Sequence, residues 1–150
     1  MTEDDGGQGI FLYMGKHGGE VPLDVKCVRV HESVRVIEKH AFAHCSQLKT
    51  VNGGEGIKEI GPNAFWYCTL LEEITIYPSV EVIHNCAFND CSGLRIVNGG
   101  EGLVEIGKEA FSSCYFLQEI TIYPSVKVIK EHAFVYCSRL TTVNGGEKLV

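Results

Sequence analysis

Basic residues are scarce in this chain of 150 residues: 13 Lys and Arg stand against 19 Asp and Glu, which gives a net charge of −6. The basic residues form no stripe at any position of the repeat described below. Nucleic acids and anionic membranes are bound through clustered Lys and Arg. We therefore expect neither as a partner.

The chain also lacks the segments that direct a protein into or across a membrane. No apolar run approaches the ~20 residues that span a bilayer. The first residues, Met1-Thr2-Glu3-Asp4-Asp5, are acidic and polar, whereas a secretory signal begins with basic residues and continues as an apolar run. No Asn-x-Ser/Thr acceptor for N-glycosylation occurs. These absences favour a cytoplasmic location.

What the chain has is a strict period of 23 residues. An Ala-Phe pair recurs at that step without insertion or deletion, and a Cys follows each Phe three residues later. The five copies are Ala41-Phe42 with Cys45, Ala64-Phe65 with Cys68, Ala87-Phe88 with Cys91, Ala110-Phe111 with Cys114, and Ala133-Phe134 with Cys137. Such a period is typical of a solenoid, in which each unit buries its apolar side against its neighbours.

The period divides the chain into a lead-in, residues 1–24, and a repeat domain, residues 25–150. The repeat domain holds five full units and a partial sixth. We expect the first nine residues or so to be disordered and the rest of the lead-in to cap the array. Cysteines that share one repeat position are more typical of small buried residues than of disulfides.

Within a unit, three segments follow one another. The alternation in Ile74-Thr75-Ile76 predicts a short strand. A second apolar pair, Val80 and Ile83 in the same unit, predicts another extended segment on a different side of the coil. The last piece, 130–137 in the fifth unit, has helix-forming residues and predicts a short helical turn with Phe and Cys facing inward.

Two kinds of turn alternate along the array. Units three and five contain Tyr-Pro-Ser, whereas units two and four contain Asn-Gly-Gly-Glu-Gly. Units three and five agree at 15 of 23 positions, but the neighbouring units three and four agree at only five. Because Gly weakens a strand interior, we expect the strands of the Gly-rich units to be shorter or kinked.

The full pattern, Leu-x-x-Ile-x-Ile-x-x-Ser-Val-x-x-Ile-x-x-x-Ala-Phe-x-x-Cys, resembles the BspA-like leucine-rich repeat family over residues 25–150. Residues 10–24 resemble the lead-in of such arrays in protists, diatoms in particular. The resemblance implies an α/β repeat fold, a short right-handed solenoid that is β-rich with one short helical turn per repeat. It also implies a binding protein rather than an enzyme; several bacterial members are surface adhesins.

The outward side of the first strands is the first candidate surface. If repeat positions one, four and six face inward, positions two, three, five and seven project outward, and exposed Tyr is typical of interfaces. The candidate protein-binding residues are Glu73, Thr75, Tyr77, Asn98, Glu119, Thr121 and Tyr123. The alternative is that these residues only solvate the sheet.

The helical turns offer a second candidate surface. Bulky residues at non-core positions, Trp66-Tyr67, Tyr115-Phe116 and Val135-Tyr136, could form an exposed aromatic patch. The alternative is local packing over the joints between repeats.

Other chemistry has less support in the sequence. His40 and His44 have the spacing of a helical metal pair, but Cys45 belongs to the buried column, so we expect no metal. Cys86 and Cys27 lie outside that column, and Cys86 is either a reactive thiol or an incidental surface residue. Repetition supplies no unique convergent pocket, so we expect no catalytic residues and no cofactor.

These observations predict a non-enzymatic protein-binding module with an unidentified protein partner. The first alternative is a structural segment of a longer array that self-associates through its open C-terminal repeat, where unpaired strand edges invite pairing. A surface adhesin is a further alternative, as is, more remotely, an enzyme or redox protein that uses Cys86.

Overall fold

The computed structural model describes residues 2–3 and 9–144. In that part of the chain thirteen short strands and one 3-10 turn, Gly15–His17, follow one another. The strands are β1 (Thr2–Glu3), β2 (Ile10–Tyr13), β3 (Cys27–Val30), β4 (Val36–Ile37), β5 (Thr50–Gly53), β6 (Glu59–Ile60), β7 (Glu73–Ile76), β8 (Val82–Ile83), β9 (Ile96–Gly99), β10 (Glu105–Ile106), β11 (Glu119–Thr121), β12 (Val128–Ile129) and β13 (Thr142–Asn144).

Parallel strands stack the coils on two sides. The first strand of each coil, together with β2 from the lead-in, forms one side, and we call its outward surface the strand face. The second strands form a continuous sheet in the order β12-β10-β8-β6-β4. Equivalent repeat positions pair, as where Ile60 is in register with Ile37 and with Ile83. The 23-residue period therefore sets the register, and the chain is a β-solenoid.

The third side of each coil is not helical, which corrects the predicted helical turn. Alternate N–H groups bond within the coil, as from Cys45 N to Phe42 O (3.1 Å), and the N–H groups between them donate to the next coil, as from Phe42 N to Ala64 O (2.7 Å). Two non-glycine residues in each unit have positive φ, for example Glu109 at 55°, which an α-helix excludes. Residues 2–3 and 9–144 accordingly contain no helix long and apolar enough to cross a membrane.

The Phe and Cys columns form inward ladders, as predicted. Phe65 and Phe88 stack with centroids 5.0 Å apart and planes 3° from parallel, and both are buried. The Cys91 thiol donates to the backbone carbonyl of Phe65, one coil earlier, with Sγ 3.0 Å from O. All seven cysteines are free thiols. Stacked rings and thiol hydrogen bonds thus join neighbouring coils through the core.

The lead-in closes both ladders at the first coil. The Tyr13 ring lies 4.9 Å from the Phe42 ring, and its hydroxyl accepts the N–H of Glu38 at 3.0 Å. The Pro22 carbonyl accepts the Cys45 thiol at 3.7 Å. β1 pairs antiparallel with β2. Residues 1 and 4–8, within the segment expected to be disordered, and residues 145–150 of the partial sixth unit lie outside the described residues.

The Gly-rich turns do not shorten their strands, which corrects the expected shortening; the alternative that the sequence left open was a kink. β5 and β9 have four residues each, as β7 has. Each ends on a glycine of positive φ, Gly53 and Gly99, both at 77°. A Cβ on Gly99 would stand 2.2 Å from the carbonyl oxygen of Ile76 in the coil below. Glycine here permits the close stacking of unlike turns.

One break interrupts the strand face. The order β1-β2-β3-β5 forms one sheet and β13-β11-β9-β7 forms another, so β5 and β7 are neighbours without being paired. On the opposite side β6 and β8 pair normally. The turns also stay joined, since Phe65 N donates to Ala87 O. We call the boundary between β5 and β7 the seam.

Candidate protein-binding surface

The seven predicted binding residues all lie outside the core, on the strand face or in the turns that follow it. Four are exposed and three are half-buried. The exposed ones are Glu73, Thr75, Asn98 and Glu119, and the half-buried ones are Tyr77, Thr121 and Tyr123. Period-two alternation is the cause, because successive side chains of a strand point to opposite faces.

Four of these residues line one shallow groove between β9 and β11, with a volume of about 420 Å³. The lining includes Asn98, Glu119, Thr121 and Tyr123, together with Arg95, Ile96 and Gln118. Of the remaining three predicted residues, Glu73 and Thr75 lie on β7 and Tyr77 follows it, outside this groove. The groove combines apolar, charged and amide groups on adjacent strands, which fix their positions.

An apolar side chain flanked by two carboxylates marks the centre of the strand face beyond the seam. Ile96 is 48% exposed. The strand register places it between Glu73 and Glu119, so strand spacing separates these carboxylates by roughly 10 Å across Ile96. The Asn98 amide donates a hydrogen bond to the Glu73 carboxylate, which holds this carboxylate beside the row of position-three residues that contains Ile96. This arrangement suits a cationic side chain with an aliphatic stem.

The two predicted tyrosines stand where the chain leaves the strand face. The Tyr123 hydroxyl lies 3.3 Å from a Glu101 carboxylate oxygen and donates to it. Partial burial, together with Glu101, raises the pKa of Tyr123. Partial burial and the Glu55 carboxylate likewise raise the pKa of Tyr77. Both side chains therefore keep their hydroxyl donors at neutral pH.

Ion pairs between neighbouring coils cover the outer side of the second sheet. Lys58 lies 3.2 Å from Glu81, and Lys130 lies 2.6 Å from Glu105. Exposed pairs of this kind contribute little to stability, but they satisfy the charged groups locally. This side therefore offers a partner fewer unpaired charges than its composition suggests.

The predicted aromatic patch is divided by local packing. Trp66 lies 4.6 Å from the His44 ring and donates its indole N–H to Asp90 at 3.4 Å. In another group, the Arg139 guanidinium stacks over Phe116 at 4.2 Å. The exposed members are Tyr67, Tyr115 and Tyr136. These tyrosines form a second, less continuous candidate surface on the turn side.

The two histidines with metal-pair spacing lie on non-helical backbone, and the Cys86 side chain is half-buried. His40 and His44 both have positive φ and share no helical face. Within residues 2–3 and 9–144 no three His, Cys, Asp or Glu side chains come together as metal ligands. Burial and the Glu109 carboxylate raise the pKa of Cys86, which lowers its thiolate fraction and its reactivity.

A larger groove of about 560 Å³ lies between the lead-in and the first coil, where sequence analysis expected no site. Its lining includes Tyr13, Lys16, Glu20, His40 and Cys45. Tyr13 and Cys45 are the residues through which the lead-in closes the two ladders. We therefore assign this groove to the cap of the solenoid.

Ile96 stands at position three of its unit, one of the positions expected to project outward, but was not among the predicted binding residues. The signal was present, because the other members of that position-three column are Cys27, Thr50, Glu73, Glu119 and Thr142. A large aliphatic residue in such a column is a departure from the solvated pattern. The seam had no comparable signal, since β9 (Ile-Val-Asn-Gly) pairs with β7 although its sequence is nearly that of β5 (Thr-Val-Asn-Gly), which does not.

The family described as BspA type leucine rich repeat region matches six copies over residues 23–144. A search of the curated proteins gave no match. A leucine-rich repeat protein from Bacteroides ovatus superposes with a TM-score of 0.76 at 29% identity and covers 83% of this chain and 32% of its own. The T. pallidum leucine rich repeat protein gives 0.75 at 30% identity, with 77% and 56% covered.

A leucine rich cell surface protein from Faecalibacterium prausnitzii shares the fold, with a TM-score of 0.67, 23% identity, and coverage of 99% of this chain and 55% of its own. The chain thus spans between about a third and just over half of the length of these solved proteins. All three are bacterial, so the expected likeness of the lead-in to protist arrays stays a prediction. Leucine-rich repeat proteins are typically non-enzymatic interaction or surface proteins.

Proposed function

Because the chain belongs to the BspA-type leucine-rich repeat family, we propose that it is a non-enzymatic protein-binding module whose binding surface is the strand face. The observation that carries the proposal is the groove between β9 and β11. It gathers Asn98, Glu119, Thr121 and Tyr123 around the exposed Ile96. Solenoids commonly bind through an extended face of stacked strands.

The composition of this surface supports a protein partner. Tyr77 and Tyr123 present a large apolar area with a polar tip, and such residues dominate binding energy at interfaces. Ile96 supplies an apolar contact, while the surrounding carboxylates and amides supply direction. The face belongs to hydrogen-bonded strands, so little backbone freedom is lost on binding.

The test is recovery of a partner from a lysate of the source organism by the wild type and by Tyr77→Ala/Tyr123→Ala. The matched control is Tyr115→Ala/Tyr136→Ala, which removes two tyrosines from the turn side. We expect loss of the partner only with the strand-face pair. Equal recovery of the partner by the wild type and both variants would contradict the proposal. Loss of the partner with the control variant alone would place the binding surface on the turn side.

A further inference from the structure

The third side of the first coil presents backbone carbonyls that no described residue pairs. In later coils, the carbonyls at the repeat positions of Ala41 and Ala43 accept N–H groups from the coil before, as where Ala64 O accepts Phe42 N at 2.7 Å. Both bonds recur at every later joint between the described coils. Among the described residues, none donates to the carbonyl of Ala41 or of Ala43. Because the first coil repeats the backbone of the others, both carbonyls point toward the lead-in.

The lead-in passes these two carbonyls without pairing with them. The 23-residue period places Gly19 and Val21 where the two donors would stand. The chain instead forms the 3-10 turn Gly15–His17 and leaves the groove of about 560 Å³, which we call the cap groove. Gly19 and Val21 line it from the lead-in, and the two alanines line it from the first coil. Ala41 is accordingly half-buried, whereas its equivalents in later coils are buried.

The cap covers the open groups on either side of the two carbonyls. Before them, the N–H of Glu38 donates to the Tyr13 hydroxyl at 3.0 Å. After them, the Cys45 thiol donates to the Pro22 carbonyl, with Sγ 3.7 Å from O. Backbone carbonyls are strong acceptors that folded proteins almost always pair. The two acceptors thus lie open in a groove whose neighbouring groups are satisfied, and a ligand with donors can take them.

Acceptors that face one cavity select a ligand that carries donors only. Carbonyls two residues apart lie roughly 7 Å or less from each other. A guanidinium group has five N–H donors in a planar fork and no acceptor, so it can bridge two such carbonyls, whereas the ammonium of lysine is a compact point charge. In the lining, the carboxylates of Glu20 and Glu38 outnumber the ammonium of Lys16. This charge favours a cationic ligand.

We propose that the cap groove binds an arginine side chain of a partner protein. The guanidinium donates to the carbonyls of Ala41 and Ala43 and replaces the N–H groups that a preceding coil would supply. Its aliphatic stem packs against Val21 and Leu23, which line the groove; Leu23 is 65% exposed. The groove has the volume of a small-ligand site, ~300–1,000 Å³. The site is separate from the strand face and does not rest on the function proposed for that surface.

The experiment is a titration of the isotope-labelled full chain with acetyl-Gly-Arg-Gly-amide, followed in amide NMR spectra. The N–H groups of Phe42 and His44 share their peptide bonds with the two carbonyls, so we expect their signals to shift and to saturate. The same tripeptide with citrulline is uncharged and has an oxygen in place of one amino group of the fork. It should bind at least about tenfold more weakly. The lysine tripeptide should have an intermediate affinity.

A variant that fills the groove tests the location. Trp66 has the repeat position of Ala43 in the next coil, and its ring lies 4.6 Å from the His44 ring of the coil before. An indole introduced by Ala43→Trp should therefore lie over Val21, the lead-in equivalent of His44, and abolish binding. Val135→Trp adds the same indole at the same repeat position of the fifth coil, away from the groove. It should bind the tripeptide as the wild type does, and circular dichroism establishes that both variants are folded.

Glu20→Gln/Glu38→Gln removes charge from the groove without adding bulk, and should bind the arginine tripeptide several-fold more weakly. The absence of a saturable shift at Phe42 and His44 would overturn the proposal. Equal affinity for the citrulline tripeptide would overturn it too, as would undiminished binding by folded Ala43→Trp or by the double Gln variant. Shifts confined to the strand face would assign the arginine to that surface and would likewise refute the cap groove.

Discussion

The thiol of Cys68 donates a hydrogen bond to the backbone carbonyl of Phe42 in the preceding coil, with Sγ 3.1 Å from O. The same carbonyl accepts the N–H of Cys45 within its own coil. The contact recurs at the later ladder cysteines, as from Cys114 to Phe88 at 3.2 Å. Cysteine therefore has two roles at this position, as a small buried side chain and as a donor between coils.

Removing one ladder thiol should lower stability. Cys91 is fully buried and donates to Phe65. Cys91→Ala deletes the donor and leaves a small cavity, so we expect the free energy of unfolding to fall by about 2 kcal/mol. Urea unfolding under reducing conditions measures it. Cys27→Ala, at a half-buried position, is the control and should change it far less. An equal loss of unfolding free energy in both variants would show that the ladder thiol stabilises the fold no more than the half-buried Cys27 does.

Thiol accessibility should separate the ladder from the other two cysteines. Burial raises the pKa of Cys45 to about 12 and that of Cys137 to about 11, and it raises the pKa of Cys91 and Cys114 as well. Alkylation requires access to a thiolate. In the native protein we expect modification at Cys27 and Cys86 only, mapped by peptide mass spectrometry. Rapid native labelling of ladder cysteines would contradict the stacked core.

Stability should decline in alkaline solution. A ladder thiol has a folded pKa above its ordinary value of 9.0, so above pH 9 the unfolded chain releases protons that the folded chain retains. The stabilisation is complete below pH 9 and is lost as pH rises toward the folded pKa, by up to about 1.4 kcal/mol per pH unit for a fully buried thiol. Urea midpoints at pH 8, 9.5 and 10.5 measure the decline. In Cys91→Ser the urea midpoint should fall less steeply with pH. A wild-type midpoint that does not change with pH would show that the ladder thiols are not the cause.

Glycine should stabilise one of the positive-φ positions. His40 has φ of 59° and an exposed side chain. The left-handed region costs a non-glycine residue ~1–2 kcal/mol, whereas glycine enters it freely. Allowing for the greater freedom of glycine in the unfolded chain, we expect His40→Gly to raise the free energy of unfolding by about 0.5 kcal/mol. Lys39→Gly, one residue earlier and outside the positive-φ region, should lower it. Thermal or urea unfolding measures both changes. A lower unfolding free energy for His40→Gly together with a higher one for Lys39→Gly would contradict this backbone geometry.

Much of the fold follows from periodicity alone. Leu94, Phe88 and Cys91 recur at 23-residue intervals because each coil buries the same core, and all three are buried as that pattern indicates. The register needed no further information, since equal repeats can stack without offset. The same regularity also predicted the outward direction of Glu73 and Asn98.

The helical turn was predicted wrongly because most residues at its left-handed positions give no sign of that backbone; Asn63 and Asp90 are the exceptions. Glu109 and Tyr67 occupy positive-φ positions that Gly or Asn would have indicated. The bonds that hold them there run to the next coil, as from Tyr67 N to Asn89 O at 3.0 Å. Propensity within one repeat contains no information about bonds between repeats. The seam is likewise a property of stacking and not of any one unit.

The most direct test of binding through the strand face is the quantitative recovery of partner proteins by the two tyrosine-pair variants. Tyr77→Ala/Tyr123→Ala should reduce recovery of a specific partner at least about tenfold, the effect of removing an interface anchor. Tyr115→Ala/Tyr136→Ala should recover it as the wild type does. Undiminished recovery by the strand-face variant would contradict the assignment of this surface.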